Sequence, residues 1–315
     1  MTTAISLFVA VLAGVIAYAG WAARAIADGT NPLWFVAGVP VALVAVPAVL
    51  TVVWMTLSWL FRAERPAEMR LSLTGLLRLY LREVAVVAGS IPRMMLYRWL
   101  MADPPPAPAA CPVLLLHGVL CNAGVWSPMK QYLAAQGIGP IYALSYGPPL
   151  ASIDLFAEQA ALRIDAILAA TGARQVVIVG HSMGGLVARA YLGRYGGAKV
   201  RRVITIGTPH GGSVLAWMFP GRSLSQLRPR NAWLADLGAT ATEAAPPIVS
   251  LWSWHDSMVA PQTSSILAHA QNIALMGIGH NALLGDPRVF ARVAAEIRAT
   301  SESPALSART PSARG

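Results

Sequence analysis

The stretch VIVGHSMGGLVARAYL, residues 177–192, leaves few folds open to this chain. A run of apolar, mostly β-branched residues meets the corner Gly-His-Ser-Met-Gly, and a helix-forming run follows. Short continuous apolar runs of this kind suit a strand buried on both faces. A serine on a sharp strand-to-helix turn needs small neighbours two residues away on either side, and Gly180 and Gly184 stand there. The spacing predicts a strand over 175–180, a corner at Ser182 and a helix over 184–197 that glycines stop. The N-terminus of that helix points its dipole at the corner, where it favours developing negative charge.

The flanking sequence repeats the alternation. Strands are expected over 113–117, 140–147, 200–208, 247–254 and 272–279. Helices are expected over 154–172, with Asp154 near its start, and over 287–300, with Pro287 in its first turn. Apolar strands alternating with helices predict an α/β domain over 113–300, with a mostly parallel sheet covered on both faces. The stretch ADPPPAPAACP (102–112) reads as a stiff linker and a domain boundary. The tail 301–315 carries too few apolar residues to fold and is expected to be disordered.

A serine hydroxyl is a weak nucleophile until a base takes its proton and an acid orients that base. At this kind of corner the chain order is Ser, then Asp or Glu, then His. His280, in GIGHNALL after the last strand, is the candidate base, with His255 as competitor. Asp256, in WSWHDSMVAP, is the candidate acid. Asp236 and Glu243 fall in a less regular region, and Asp286 comes after His280. The oxyanion donors expected are the backbone N–H groups of Met183 and of Val119, in the loop HGVLCNAGVW (117–126). Gly118 allows the close approach, and Cys121 is read as a lining residue.

The 315 residues are 56% hydrophobic and 12% charged, against typical values of about 45–50% and about 25%. The surplus lies near the N-terminus. No charge occurs from Ala4 to Ala23 or from Gly29 to Phe61. A charge at the centre of an inserted helix costs about 2.5–3.5 kcal/mol, so its absence favours insertion. We expect a transmembrane hairpin over 1–65, with spans at about 4–23 and 33–61; prolines such as Pro40 and Pro47 are tolerated in membrane helices. The net charge of +10 comes from scattered arginines, and no nucleic-acid signature accompanies it. Arg62, Arg65, Arg70, Arg78, Arg82, Arg93 and Arg98 follow the second span, so residues 66–101 read as a basic juxtamembrane segment. Its amphipathic pattern fits either an interfacial helix or a helix packed on the domain. The positive-inside bias puts that segment and both termini in the cytoplasm. Cys111 and Cys121 are expected to be free thiols, separated by a strand, and their spacing does not suggest metal binding.

LLLHGVLCN, VIVGHSMGGLVARAYL, VITIGTPHGGS, WSWHDSMVAP and GIGHNAL together resemble the α/β-hydrolase superfamily, and within it bacterial lipases and esterases. The resemblance covers about 113–284. It implies the triad Ser182, Asp256 and His280, oxyanion donors Val119 and Met183, no cofactor, and ester hydrolysis through an acyl-enzyme. Many secreted relatives of this branch hold calcium with an Asp just after the catalytic His; here Asn281 and Ala282 follow, and no metal is expected. The segment 213–246 is long for a loop and reads as a cap or lid, with Trp217, Met218 and Phe219 as candidate substrate contacts. With the membrane hairpin, this predicts a bacterial inner-membrane enzyme acting on lipid or long-chain acyl esters, its domain in the cytoplasm. Acyl transfer to an alcohol, hydrolysis of a soluble metabolite and a catalytically silent membrane scaffold are the alternatives.

Overall fold

The computed structural model describes residues 3–239 and 246–302. Six strands form one parallel sheet: β1 (Val113–Leu116), β2 (Ile141–Leu144), β3 (Val176–His181), β4 (Val200–Ile206), β5 (Ile248–Ser253) and β6 (Gln271–Leu275), in the order β2-β1-β3-β4-β5-β6. The expected strands are present, each within a few residues of its predicted limits.

Strand side chains alternate between faces, and both faces are covered. Val113, Leu115, Val177, Val179, Ile204 and Ile206 pack into one apolar cluster, against helices α5 (Ser127–Ala135) and α10 (Pro287–Glu302). Leu114, Leu116, Val176, Ile178 and Val203 pack into the other, against α6 (Ile153–Thr171) and α7 (Met183–Tyr195). Double burial is why these strands read as unbroken apolar runs. Ser152 caps α6 by accepting from the Leu155 N–H at 3.3 Å, and Gly172 ends it at φ +68°.

Between β4 and β5 the chain makes a helical excursion: a 3₁₀ turn (Val214–Met218), then α8 (Arg222–Gln226) and α9 (Ala232–Ala239). This occupies the expected cap, of which residues 240–245 lie outside the described residues, as do residues 303–315 of the tail. Ser301 and Glu302 belong to α10, two residues past the predicted start of that tail.

The N-terminal third is helical. Helix α1 (Thr3–Ala27) and helix α2 (Leu33–Leu60) form a hairpin, closed by Tyr18, Trp21 and Phe35 and by a 2.6 Å bond from the Tyr18 hydroxyl to the Phe35 carbonyl. Among the described residues one helix, Leu33–Leu60, is long and apolar enough to cross a membrane.

Helix α3 (Leu73–Met95) packs against the sheet domain and buries Leu79, Glu83, Val84 and Met94, with α4 (Tyr97–Leu100) following it. The Asn122 side-chain amide donates to the Met94 carbonyl at 2.9 Å, and a Cβ on Gly124 would collide with the Arg93 carbonyl. Of the two readings of 66–101, docking on the domain is the one the structure holds. Helix α3 thus packs on the sheet domain from the N-terminal side of the expected linker at 102–112. That Pro-rich stretch is itself tied down, by the Asp103–Arg163 ion pair and by the Ala109 N–H bonded to the Thr171 carbonyl at 3.1 Å.

Candidate active site

The sheet order reverses direction beside β1: the chain goes out to β2, then returns to place β3 on the other side of β1. Loops leaving the carboxyl ends of β1 and β3 diverge there and open a crevice, the usual place for a ligand in an open α/β sheet. Ser182 sits at the tip of β3, at φ +55° and ψ −126°. That backbone costs a non-glycine residue about 1–3 kcal/mol. The Ser182 N–H bonded to the Ile206 carbonyl at 2.8 Å, and the Gly185 N–H bonded to the Ser182 carbonyl at 3.1 Å, hold it. The flanking glycines are required by close approach: a Cβ on Gly180 would lie 2.6 Å from the Gly184 carbonyl carbon, and one on Gly184 would collide with the Leu116 carbonyl.

His280 and Asp256 meet as the sequence predicts. The His280 Nδ1 lies 2.8 Å from the Asp256 Oδ2, with both side chains buried. The other carboxylate oxygen, Oδ1, accepts from the Met258 and Val259 N–H groups at 2.8 and 2.7 Å. With its Nδ1 proton donated to Asp256, His280 has Nε2 left as an acceptor. Burial alone would disfavour the charged ring, but the carboxylates of Asp256 and Glu83 outweigh it and hold His280 above the ordinary histidine range.

The competing assignments do not meet this pair. His255 accepts from the Gly277 N–H at 3.2 Å, and burial with the nearby Arg65 pushes it down to about 4. Asp286 pairs with Arg82 and Arg288. Asp236 lies exposed on α9, and Glu243 is outside the described residues. His181 touches the His280 ring edge, with ring centroids 4.7 Å apart; burial, then the neighbouring His280 and His117 rings, hold it well below the ordinary range, so it stays neutral.

Ser182 and His280 line one cavity of about 170 Å³. Gly118 closes on the serine: a Cβ there would lie 3.0 Å from the Ser182 Cβ. Val119 lines the same cavity, and Met183 opens α7, where the N–H of the first helical residue has no intrahelical partner. Cys121 also lines it; burial pushes its thiol up to about 11, so it is protonated at neutral pH. Cys111 and Cys121 are both free. Among the described residues no group of three metal-ligating side chains occurs.

The three candidate substrate contacts are placed apart. Of Trp217, Met218 and Phe219, only Phe219 lines the cavity; Trp217 turns outward beneath the Arg228 guanidinium, 4.4 Å from its ring centroid, and Met218 is exposed. The remaining wall is mainly apolar, with Leu215, Leu224, Leu227, Met258, Val259 and Trp54 beside the polar Ser213 and Asn281. Trp54 belongs to α2, the membrane-length helix, and its ring lies 5.6 Å from that of Phe219. One turn on, the Ser58 hydroxyl donates to the Asp256 carbonyl at 2.7 Å.

Residues 112–236 match the family model for the alpha/beta hydrolase fold. Strands β1 to β4 and the strained Ser182 corner lie within that match, and Asp256 and His280 lie beyond it. This is an α/β-hydrolase fold. The solved mature lipase BlEst2 of Bacillus licheniformis is similar at TM-score 0.55 and 17% identity, over 62% of this chain and 96% of that one. Lipase B of Aspergillus fumigatus is similar at TM-score 0.55 and 21% identity, over 60% of this chain and 52% of that one. Among curated proteins, the triacylglycerol lipases of Pseudarthrobacter phenanthrenivorans and Burkholderia plantarii are each 48% identical over 59 residues, or 19% of this chain. The chain spans only 18% and 16% of those two proteins.

Sequence reasoning missed the contributions from α2 and α3 to this α/β-hydrolase site: Trp54, Ser58 and Glu83. One signal was present. Glu83 is the only acidic residue between 69 and 101, and it shares an apolar helix face with Leu79.

Proposed function

We propose that this chain is a membrane-anchored serine hydrolase that cleaves carboxylic esters of lipid or long-chain acyl type. The observation that carries the reading is His280, paired with Asp256, sharing a mainly apolar cavity with a serine on a strained strand-to-helix corner. Ser182 Oγ attacks the ester carbonyl while His280 Nε2 takes its proton, and Asp256 steadies the imidazolium. The N–H groups of Val119 and Met183 stabilise the oxyanion. The tetrahedral intermediate expels the alcohol, which leaves with the proton from His280. A water, deprotonated by His280, then attacks the acyl-enzyme and releases the acid, restoring the Ser182 hydroxyl.

The substrate class follows from the walls. Apart from the catalytic groups, the cavity offers mainly hydrocarbon, and one wall comes from α2, the helix long enough to cross a bilayer. An acyl chain is the ligand such walls favour. In this reading both α1 and α2 are inserted, the membrane is the bacterial inner membrane, and the hydrolase unit faces the cytoplasm with the Arg-rich segment after α2.

Full-length protein in detergent tests the reading with a fluorophosphonate probe and p-nitrophenyl esters of increasing chain length. We expect covalent labelling, lost in Ser182→Ala, and turnover that favours the longer chains. Absence of labelling would return the chain to a silent scaffold. Acyl-ester formation in place of free acid when an alcohol is added would make it a transferase.

A further inference from the structure

Glu83 is buried on α3 and accepts four hydrogen bonds from the two loops that carry Asp256 and His280. Its Oε1 accepts from the Ser257 hydroxyl at 2.8 Å and from the Asn281 N–H and side-chain amide, both at 2.9 Å. Its Oε2 accepts from the Ala282 N–H at 2.9 Å. Ser257 passes the grip on, since its oxygen accepts from the His280 N–H at 3.2 Å. On the other side of the histidine, a Cβ on Gly279 would collide with the Glu83 carboxylate. The chain on both sides of His280 is therefore shaped around one side chain from outside the sheet domain.

We propose that Glu83 is a positioning residue for the proposed ester hydrolysis, holding the His280 loop in the geometry that lets its ring serve Ser182. The inference rests on that functional reading. A buried carboxylate is costly unless its oxygens are hydrogen-bonded, and here the bonding groups are the backbone of 281 and 282 and the Ser257 hydroxyl, so loop order and carboxylate satisfaction depend on each other. No bond from a cation to Glu83 is present among the described residues; its neighbour Arg82 pairs with Asp286 instead. Helix α3 thus closes the site: it buttresses the loop after β1 through the Met94 carbonyl and the His280 loop through Glu83. Helix α3 packs against α2 and follows it after residues 61–72, which include a 3₁₀ turn (Ala67–Met69), so the geometry links the membrane-length helix to the base.

A second readout separates positioning from bulk stability. The titratable groups facing the His280 ring are Asp256 from the β5 loop, Glu83 from α3 and His181 from the end of β3. Glu83 favours the charged ring, so replacing it with a neutral isostere moves the acid limb of the activity profile to lower pH.

The test uses full-length wild type, Glu83→Gln, Glu83→Asp and Ser257→Ala with p-nitrophenyl esters, alongside fluorophosphonate labelling. Glu83→Gln keeps the shape but presents a donor to donors. We expect kcat to fall about 10-fold or more with KM nearly unchanged, because a misplaced catalytic group slows the step it serves. Labelling should slow in parallel and the acid limb should move down in pH. Ser257→Ala should reproduce the fall in kcat in milder form without the pH shift, and it keeps the question open to measurement if Glu83→Gln does not fold. Glu83→Asp, which retains the charge, should hold the acid limb near wild type. Wild-type kcat and pH profile in Glu83→Gln or, should that variant not fold, wild-type kcat in Ser257→Ala would overturn the proposal. Failure of the hydrolase reading looks different: wild type itself would neither turn over ester nor take the label.

Discussion

At the residue scale the chain concentrates strain and charge on a few atoms. Ser182 holds a positive φ that β3 and α7 together enforce, and His280 rests between two carboxylates and a neutral histidine. Replacing Ser182 with Ala should cut ester turnover at least about 10³-fold while leaving the thermal midpoint close to wild type; equal turnover would remove the nucleophile assignment. His280 accepts the serine proton only when neutral, and its affinity for a proton is raised. Activity should therefore rise with pH through a midpoint above the ordinary histidine value of about 6.5, measurable as kcat/KM across pH 5 to 9. A midpoint below that value would contradict the buried pairing with Asp256. Gly184→Ala would drive a Cβ into the Leu116 carbonyl, and should lower stability by about 1–3 kcal/mol in denaturant unfolding.

At the scale of elements, α2 and α3 hold the loops that carry Asp256 and His280. Helix α2 supplies Trp54 to the cavity wall and Ser58 to the Asp256 carbonyl. Trp54→Ala should enlarge the cavity beside Phe219 and shift preference toward bulkier acyl chains, read as the ratio of kcat/KM between short and long p-nitrophenyl esters; an unchanged ratio would mean the acyl chain lies elsewhere. How much was legible also differs by element. The strands and the helices α6, α7 and α10 announce themselves through apolar periodicity, and the serine corner through glycine spacing. Helix α3 was legible as an amphipathic helix, but its partner was not: an apolar stripe says that something covers it, and lipid and protein satisfy it equally. The cap was legible only in the same limited way. Trp217, Met218 and Phe219 are consecutive in a 3₁₀ turn and its exit, so their side chains diverge, and Phe219 is the one that lines the cavity.

At the scale of the whole molecule, the proposed membrane anchor and the hydrolase unit are not beads on a string. The stretch 102–112 is bonded to the body, α3 is docked on it, and α2 reaches the cavity. The full chain should therefore stay with membranes through a high-salt, alkaline wash, and a C-terminal tag should be cut by external protease only in inverted inner-membrane vesicles. Cutting in right-side-out spheroplasts would place the hydrolase unit on the opposite face.

The sequence by itself determined the parallel α/β architecture, the serine corner and the chain order of Ser182, Asp256 and His280, because those depend on local periodicity and on steric limits within a few residues. Only the tertiary structure decided that Trp54, Ser58 and Glu83 reach the site. Their contacts span up to about two hundred residues of chain, as between Ser58 and Asp256 or Glu83 and Ala282. No spacing rule in one sequence encodes which loop a buried carboxylate will meet; that is fixed when the packing of α2 and α3 leaves its oxygens no other donors.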